Sequence, residues 1–202
     1  MSYMRKSQWK IIGGGLVFLV LLLGVLRYAM EEKVFFRKFE HGELLQSGDI
    51  VLLGSQTWRG RIVRMTNSST CFAHVAMVEQ TPEGCFFLHA DPEFGCIAED
   101  IQDYFANNKC SALMVLRPQV EPDAVERALA FSHSCIRRHL PFNQKLKYGV
   151  GKGLYCTEFV LKAYEMADEP LLTENLDGKL IRPEELLKSA RLREIATVRA
   201  TP

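Results

Sequence analysis

From residue 11 to residue 26 the chain holds no charged side chain, and the apolar stretch continues past Arg27 to Met30. No other feature of the sequence restricts folding as strongly. As a helix, residues 11–29 would be about 28 Å long, close to the hydrocarbon thickness of a bilayer. Arg5, Lys6 and Lys10 precede the run, as in a signal sequence or signal anchor. It ends Leu26-Arg27-Tyr28-Ala29-Met30, without a small-residue cleavage pattern, and no cysteine follows for lipid attachment. The expectation is one uncleaved transmembrane helix, with residues 1–30 as the anchor, 31–43 as a juxtamembrane linker and 44–202 as the folded domain. Basic residues nearly tie across the span, with Arg27, Lys33, Arg37 and Lys38 on the far side. A short N-terminal tail usually stays in the cytoplasm, so the domain of this single-pass membrane protein is expected to be extracytoplasmic, in the periplasm.

Without the anchor about 170 residues remain, enough for one domain with its own core. An apolar fraction of 48% and a charged fraction of 24% are those of a folded chain and exclude a disordered or fibrous one. With 25 basic and 24 acidic residues the net charge is +1, so there is no electrostatic footprint for nucleic acid. The six cysteines (Cys71, Cys85, Cys96, Cys110, Cys135, Cys156) include no CxxC pair. They are too few for a disulfide framework at this length, and a structural zinc site has no support. Most of them read as small buried apolar residues.

Ser47-Gly48-Asp49 reads as a turn feeding a strand over 50–53, and residues 58–65 as a helix followed by a polar loop over 66–70. Two apolar runs, 73–78 and 85–90, joined by a segment with Pro82 and Gly84, form an antiparallel hairpin. A short helix follows over 100–107 and a strand over 112–116. Pro122 opens a helix to about His139, with Val125, Ala128, Leu129, Ser132 and Ile136 on its packing face; His133 and His139 on it are read as solvated or capping. Another helix is expected over 155–167, and Pro183 opens a last short one. The fold class is α+β, an antiparallel sheet packed against helices.

A thiol nucleophile needs its anion stabilised and a base to take its proton. A cysteine in the first turn of a helix gains from backbone N–H groups and the macrodipole, and Cys156 alone is placed that way. It follows Gly149-Val150-Gly151-Lys152-Gly153, which lacks the Ser/Thr of a phosphate-binding loop and is expected to let backbone approach a substrate closely. His74 and His89, one on each strand of the hairpin, are the candidate bases. A histidine within a strand of Ala, Val, Leu and Phe is costly to bury without a partner.

In their order, Gly48-Asp49, His74-Val75-Ala76-Met77-Val78, Leu88-His89-Ala90, Leu140-Pro141-Phe142 and Tyr155-Cys156-Thr157-Glu158-Phe159-Val160 resemble the circularly permuted branch of the NlpC/P60 papain-like superfamily, the YiiX/YebB-like group. The resemblance spans residues 44–167. It implies a permuted papain-like fold in which the histidine precedes the cysteine. Cys156 would be the nucleophile and His74 its general base. His89 would orient His74, at a position where the bacterial members often have Glu; a histidine there is shared with the related lecithin:retinol acyltransferase-like proteins. The backbone N–H of Cys156 would receive the oxyanion, and Tyr155 would line the substrate cleft. Glu158 matches an acidic position of the family and Asp49 follows its turn glycine. For both, contact with substrate stands beside helix-start or turn capping.

The implied chemistry is acyl transfer without metal or organic cofactor, with a pH optimum set by a thiolate–imidazolium pair. The expected function is amide-bond hydrolysis in a cell-wall peptide or a γ-glutamyl or isopeptide-like linkage. Hydrolysis or transfer of lipid acyl groups is the first alternative, and a non-catalytic peptide- or lipid-binding module the second. Partners are accordingly a peptide or lipid-amide substrate and, through the N-terminal helix, the membrane.

Overall fold

The computed structural model describes residues 42–55, 72–108 and 110–199. The expected anchor over 1–30, nearly all of the linker over 31–43, the helix over 58–65, the loop over 66–70 and Cys71 lie outside them. Among the described residues, no helix is long and apolar enough to cross a membrane.

Six strands form one sheet in the order β4-β3-β2-β1-β5-β6. They are β1 (Ile50–Ser55), β2 (His74–Thr81), β3 (Gly84–Asp91), β4 (Gly95–Asp100), β5 (Cys110–Pro118) and β6 (Leu192–Arg199), and all neighbours pair antiparallel. The helices are α1 (Ile101–Asn107), α2 (Pro122–Arg137) and α3 (Cys156–Glu165), with a 3-10 helix at Pro183–Lys188. The α+β reading holds, and the hairpin is β2–β3. Two strands were not expected, β4 and β6. Both are sheet edges, and neither GCIAED nor LREIATVR has the apolar alternation that marks a strand before its partner is known.

β1 is apolar at every position from Ile50 to Leu53 because it lies mid-sheet and is buried on both faces. On one face Ile50, Leu52, Val75, Met77 and Leu88 meet α2 and α3. On the other Val51, Leu53, Ala76, Val78 and Phe87 meet Ile101, Tyr104 and Phe105 of α1. Pro122 opens α2, and Ala124, Ala128, Ser132 and Cys135 form its buried stripe. Asp100 caps α1 by accepting from the N–H groups of Gln102 and Asp103 at 2.8 and 3.3 Å.

The segment between α2 and α3 is tied to the sheet edge. Leu140 accepts from Cys96 N–H of β4 at 2.9 Å, and Pro141 O accepts from Leu154 N–H at 3.1 Å. Two glycines permit this contact. A Cβ on Gly95, whose φ is +75°, would lie 2.4 Å from Leu140 O, and one on Gly153 would lie 1.9 Å from Pro141 O. At Gly153 the glycine-rich loop makes a close approach to the chain's own backbone, at Pro141.

Candidate active site

His74 opens β2 and His89 lies near the end of β3, two rungs apart on one face, because strand residues alternate and both share the side of Ala76 and Phe87. His74 Nε2 and His89 Nδ1 are 2.9 Å apart, a hydrogen bond between the two rings. The rings meet edge to face with centroids 4.9 Å apart. Tyr104 of α1 stacks on His74 at 6.2 Å and presents an edge to His89 at 5.8 Å. Only 1% of His89 is exposed, while His74 is half-buried.

Cys156 is the first residue of α3, on the opposite side of the sheet. β2 and β3 pair from Met77↔Leu88 outward to Thr81↔Gly84, so the strands have parted by Val75, whose backbone lies near enough to the sulfur of Cys156 to favour its anion. The thiol therefore reaches the residue next to His74 through a fork in the sheet. Thr157, whose Oγ1 is 4.0 Å from the sulfur, contributes a further weak contact. Neither ring nitrogen of His74 is hydrogen-bonded to the sulfur; Nε2 is engaged by His89.

Burial pushes the Cys156 thiol up, against the pull of the Val75 and Thr157 hydrogen bonds. Burial, and then the charge of His89, hold His74 well below its usual value. Both shifts favour the neutral forms, so the resting pair is thiol and imidazole rather than the expected thiolate and imidazolium.

Tyr155, Asp49 and Glu158, expected beside the substrate, belong to the interior. Tyr155 is 2% exposed, and its hydroxyl accepts from Ile181 N–H at 2.9 Å. Asp49 is 1% exposed and holds Arg117 through both carboxylate oxygens at 2.7 Å. It lies beside Val78, four positions along β2 from His74, roughly 13 Å at the strand rise. Glu158 is 1% exposed and accepts from Gly149 N–H at 2.7 Å and Asn143 Nδ2 at 3.0 Å. Such buried, internally satisfied groups brace the scaffold and have no surface to offer a substrate. Glu158 ties the glycine-rich loop to the first turn of α3 and so fixes where Cys156 begins the helix.

Of the residues named from sequence, the fold gathers His74 and His89 into one pair and brings Cys156 to the adjoining backbone. Sequence reasoning missed Tyr104, Asn143 and Glu99. Glu99 Oε2 lies 3.5 Å from His89 Nε2. Asn143 follows the Leu140-Pro141-Phe142 motif, and its Nδ2 also donates to Lys147 O and Val150 O at 3.0 Å each. Elsewhere His133 pairs with Glu79 at 2.6 Å. Among the described cysteines, Cys96, Cys110 and Cys135 are buried, Cys85 and Cys156 are half-buried, and all five are free thiols. Among the described residues no group of three or more His, Cys, Asp or Glu side chains could hold a metal ion.

No family model matches the chain, and no curated protein matches it in sequence. Among solved structures, it is similar to the metalloprotein yiiX from Escherichia coli, with a TM-score of 0.63 and 12% identity over 76% of this chain and 98% of that one. The likeness is one of fold: the α+β sheet and its helices are YiiX-like.

Proposed function

We propose that the domain is a thiol hydrolase acting on amide bonds, built on a permuted NlpC/P60-type papain-like architecture, with Cys156 as nucleophile, His74 as general base and His89 orienting it. One observation carries the reading: the sulfur of a helix-start cysteine lies at the backbone of Val75, which favours its anion, and Val75 is the neighbour of a histidine whose ring is bonded to a second histidine. The chain order of histidine before cysteine, within a YiiX-like fold, supports the permuted arrangement.

The reaction starts from neutral partners. As Sγ attacks the carbonyl carbon, the thiol proton passes to His74. The oxyanion rests on the backbone N–H of Cys156 at the start of α3. Imidazolium then protonates the leaving amine, and water, deprotonated by His74, hydrolyses the thioester and restores the thiol. The substrate class of this reading is a cell-wall peptide or a γ-glutamyl or isopeptide-like linkage. Residues 1–30 are its membrane anchor, with the domain on the periplasmic side. The fold neighbour is a metalloprotein; the described residues of this chain offer no three-ligand set, and no step here passes through a metal.

The His74–His89 bond also favours a second reading, acyl transfer or hydrolysis on lipid, because paired histidines are the arrangement of the lecithin:retinol acyltransferase-like proteins. The full chain in detergent, incubated with muropeptides and separately with phospholipids, separates the two by which yields product. Iodoacetamide labelling across pH, read by mass spectrometry, tests both. One thiol, Cys156, reacting far faster than the others supports catalysis; uniformly slow thiols leave a binding module.

A further inference from the structure

His89 Nε2 is buried and, among the described residues, has no hydrogen-bond partner, whereas Nδ1 of the same ring is bonded to His74. Leaving a buried ring nitrogen unpaired is costly, so its surroundings govern whether it carries a proton. Among the described residues, three polar or aromatic side chains face the His89 ring: His74 from β2, Tyr104 from α1 and Glu99 from β4. Only Glu99 approaches Nε2, at 3.5 Å, just beyond good hydrogen-bond geometry. Glu99 is 23% exposed, so its end can shift the remaining fraction of an ångström without repacking the core.

The bond between His74 and His89 admits two proton arrangements. In one, His89 donates from Nδ1 to His74 Nε2; a bare, buried His89 Nε2 then confronts the Glu99 carboxylate lone pair to lone pair. In that arrangement His74 already carries a proton on Nδ1, so neither of its nitrogens can take one from a thiol. In the other, His89 holds its proton on Nε2 and points it at Glu99, His74 donates from Nε2 to His89 Nδ1, and His74 Nδ1 is left bare. Only the second satisfies Nε2, and only the second makes His74 a base.

We infer that Glu99 is a positioning residue: its carboxylate selects the His89 tautomer, which through the 2.9 Å ring-to-ring bond leaves Nδ1 of His74 as the nitrogen that accepts the Cys156 proton. The inference rests on the thiol-hydrolase reading for the identity of the proton donor, but the tautomers exist independently of it. No net charge moves in the resting state. During attack the proton travels from Sγ to His74 Nδ1, and the imidazolium so formed is held by a ring already polarised toward a carboxylate.

The test is nitrogen NMR of histidine-labelled full chain in detergent, which reports which ring nitrogen bears hydrogen. Wild-type protein at neutral pH should show protonated Nε2 and bare Nδ1 on both His74 and His89. Glu99→Leu should shift both rings toward the opposite tautomer and slow alkylation of Cys156 roughly ten- to a hundred-fold, the range by which metal-bound histidines respond to loss of their outer partner. Glu99→Gln, whose amide oxygen can still accept from Nε2–H, should largely restore both signals. A bare Nε2 on wild-type His89 overturns the inference whatever the variants do, and so does a folded Glu99→Leu with unchanged tautomers. If the tautomers respond but Cys156 reacts no faster than the other thiols, the relay stands and the hydrolase reading falls.

Discussion

The two faces of the sheet are made from the same strands and serve different ends. The face under α2 and α3 carries the larger apolar cluster, with Phe159, Val160, Ala163 and Tyr164 fully buried against Leu88 and Met77. Among the described residues the opposite face meets the seven-residue α1 and Leu45, and there the apolar rows are interrupted by His74, His89 and the ring of Tyr104. A thick cluster fixes the position of a helix start; a thin one tolerates polar rings and leaves His74 half-buried. In the proposed mechanism the helix face supplies the thiol and the opposite face the proton acceptor.

The comparison is tested most severely by activity. His74→Ala should cut turnover roughly a thousandfold, the scale of a lost general base, with little change in the urea midpoint. His89→Gln should cost less, since an orienting group can be partly replaced; an equal loss would make His89 the base. Phe159→Ala, on the helix face, should do the reverse, losing about 3–5 kcal/mol of stability by denaturant titration. If His74→Ala unfolds the domain instead, the division between the faces fails.

Glu158→Ala should cost about 1–3 kcal/mol by leaving Gly149 N–H without its acceptor, and Glu158→Gln less. Because the same carboxylate holds the loop before Cys156, iodoacetamide labelling of that thiol should change in parallel.

The smallest effect is on pH dependence, where the faces should have opposite signs. Burial lowers the folded pKa of His74 below the unfolded value of about 6.5, so the unfolded chain binds a proton that the folded one refuses. Its contribution is present above that value and is lost as pH falls toward the folded pKa; His74→Gln should flatten the acid side of a plot of Tm against pH. On the helix face, burial pushes the Cys96 thiol up to about 12. The unfolded thiol ionises near 8.5, so stability falls as pH rises above that, and Cys96→Ala should lessen this alkaline slope, the other buried thiols keeping the rest.

Local signals made much of the architecture legible: the apolar run of β1, the β2–β3 hairpin, Pro122 at the start of α2 and the amphipathic run opening at Cys156. Each depends on residues within one or two turns, or one strand, of each other. The same signals named His74, His89 and Cys156 as the chemically unusual groups. They could not say that Asp49 would spend its charge on Arg117, or that Glu158 would be walled in under the glycine-rich loop. Nor could they find β4 and β6, whose backbone hydrogen bonds come from neighbours rather than from their own pattern.

The sequence by itself determined the helices, the inner strands and which side chains are capable of acid–base and thiol chemistry, because periodicity and residue type are local properties. Tertiary structure alone decided that two histidines fifteen positions apart share one hydrogen bond, that Glu99 faces the second of them, and that a cysteine from the other side of the sheet comes to the backbone of Val75, next to the first. Register, strand divergence and burial are set by contacts between distant segments, and no window of neighbouring residues contains them.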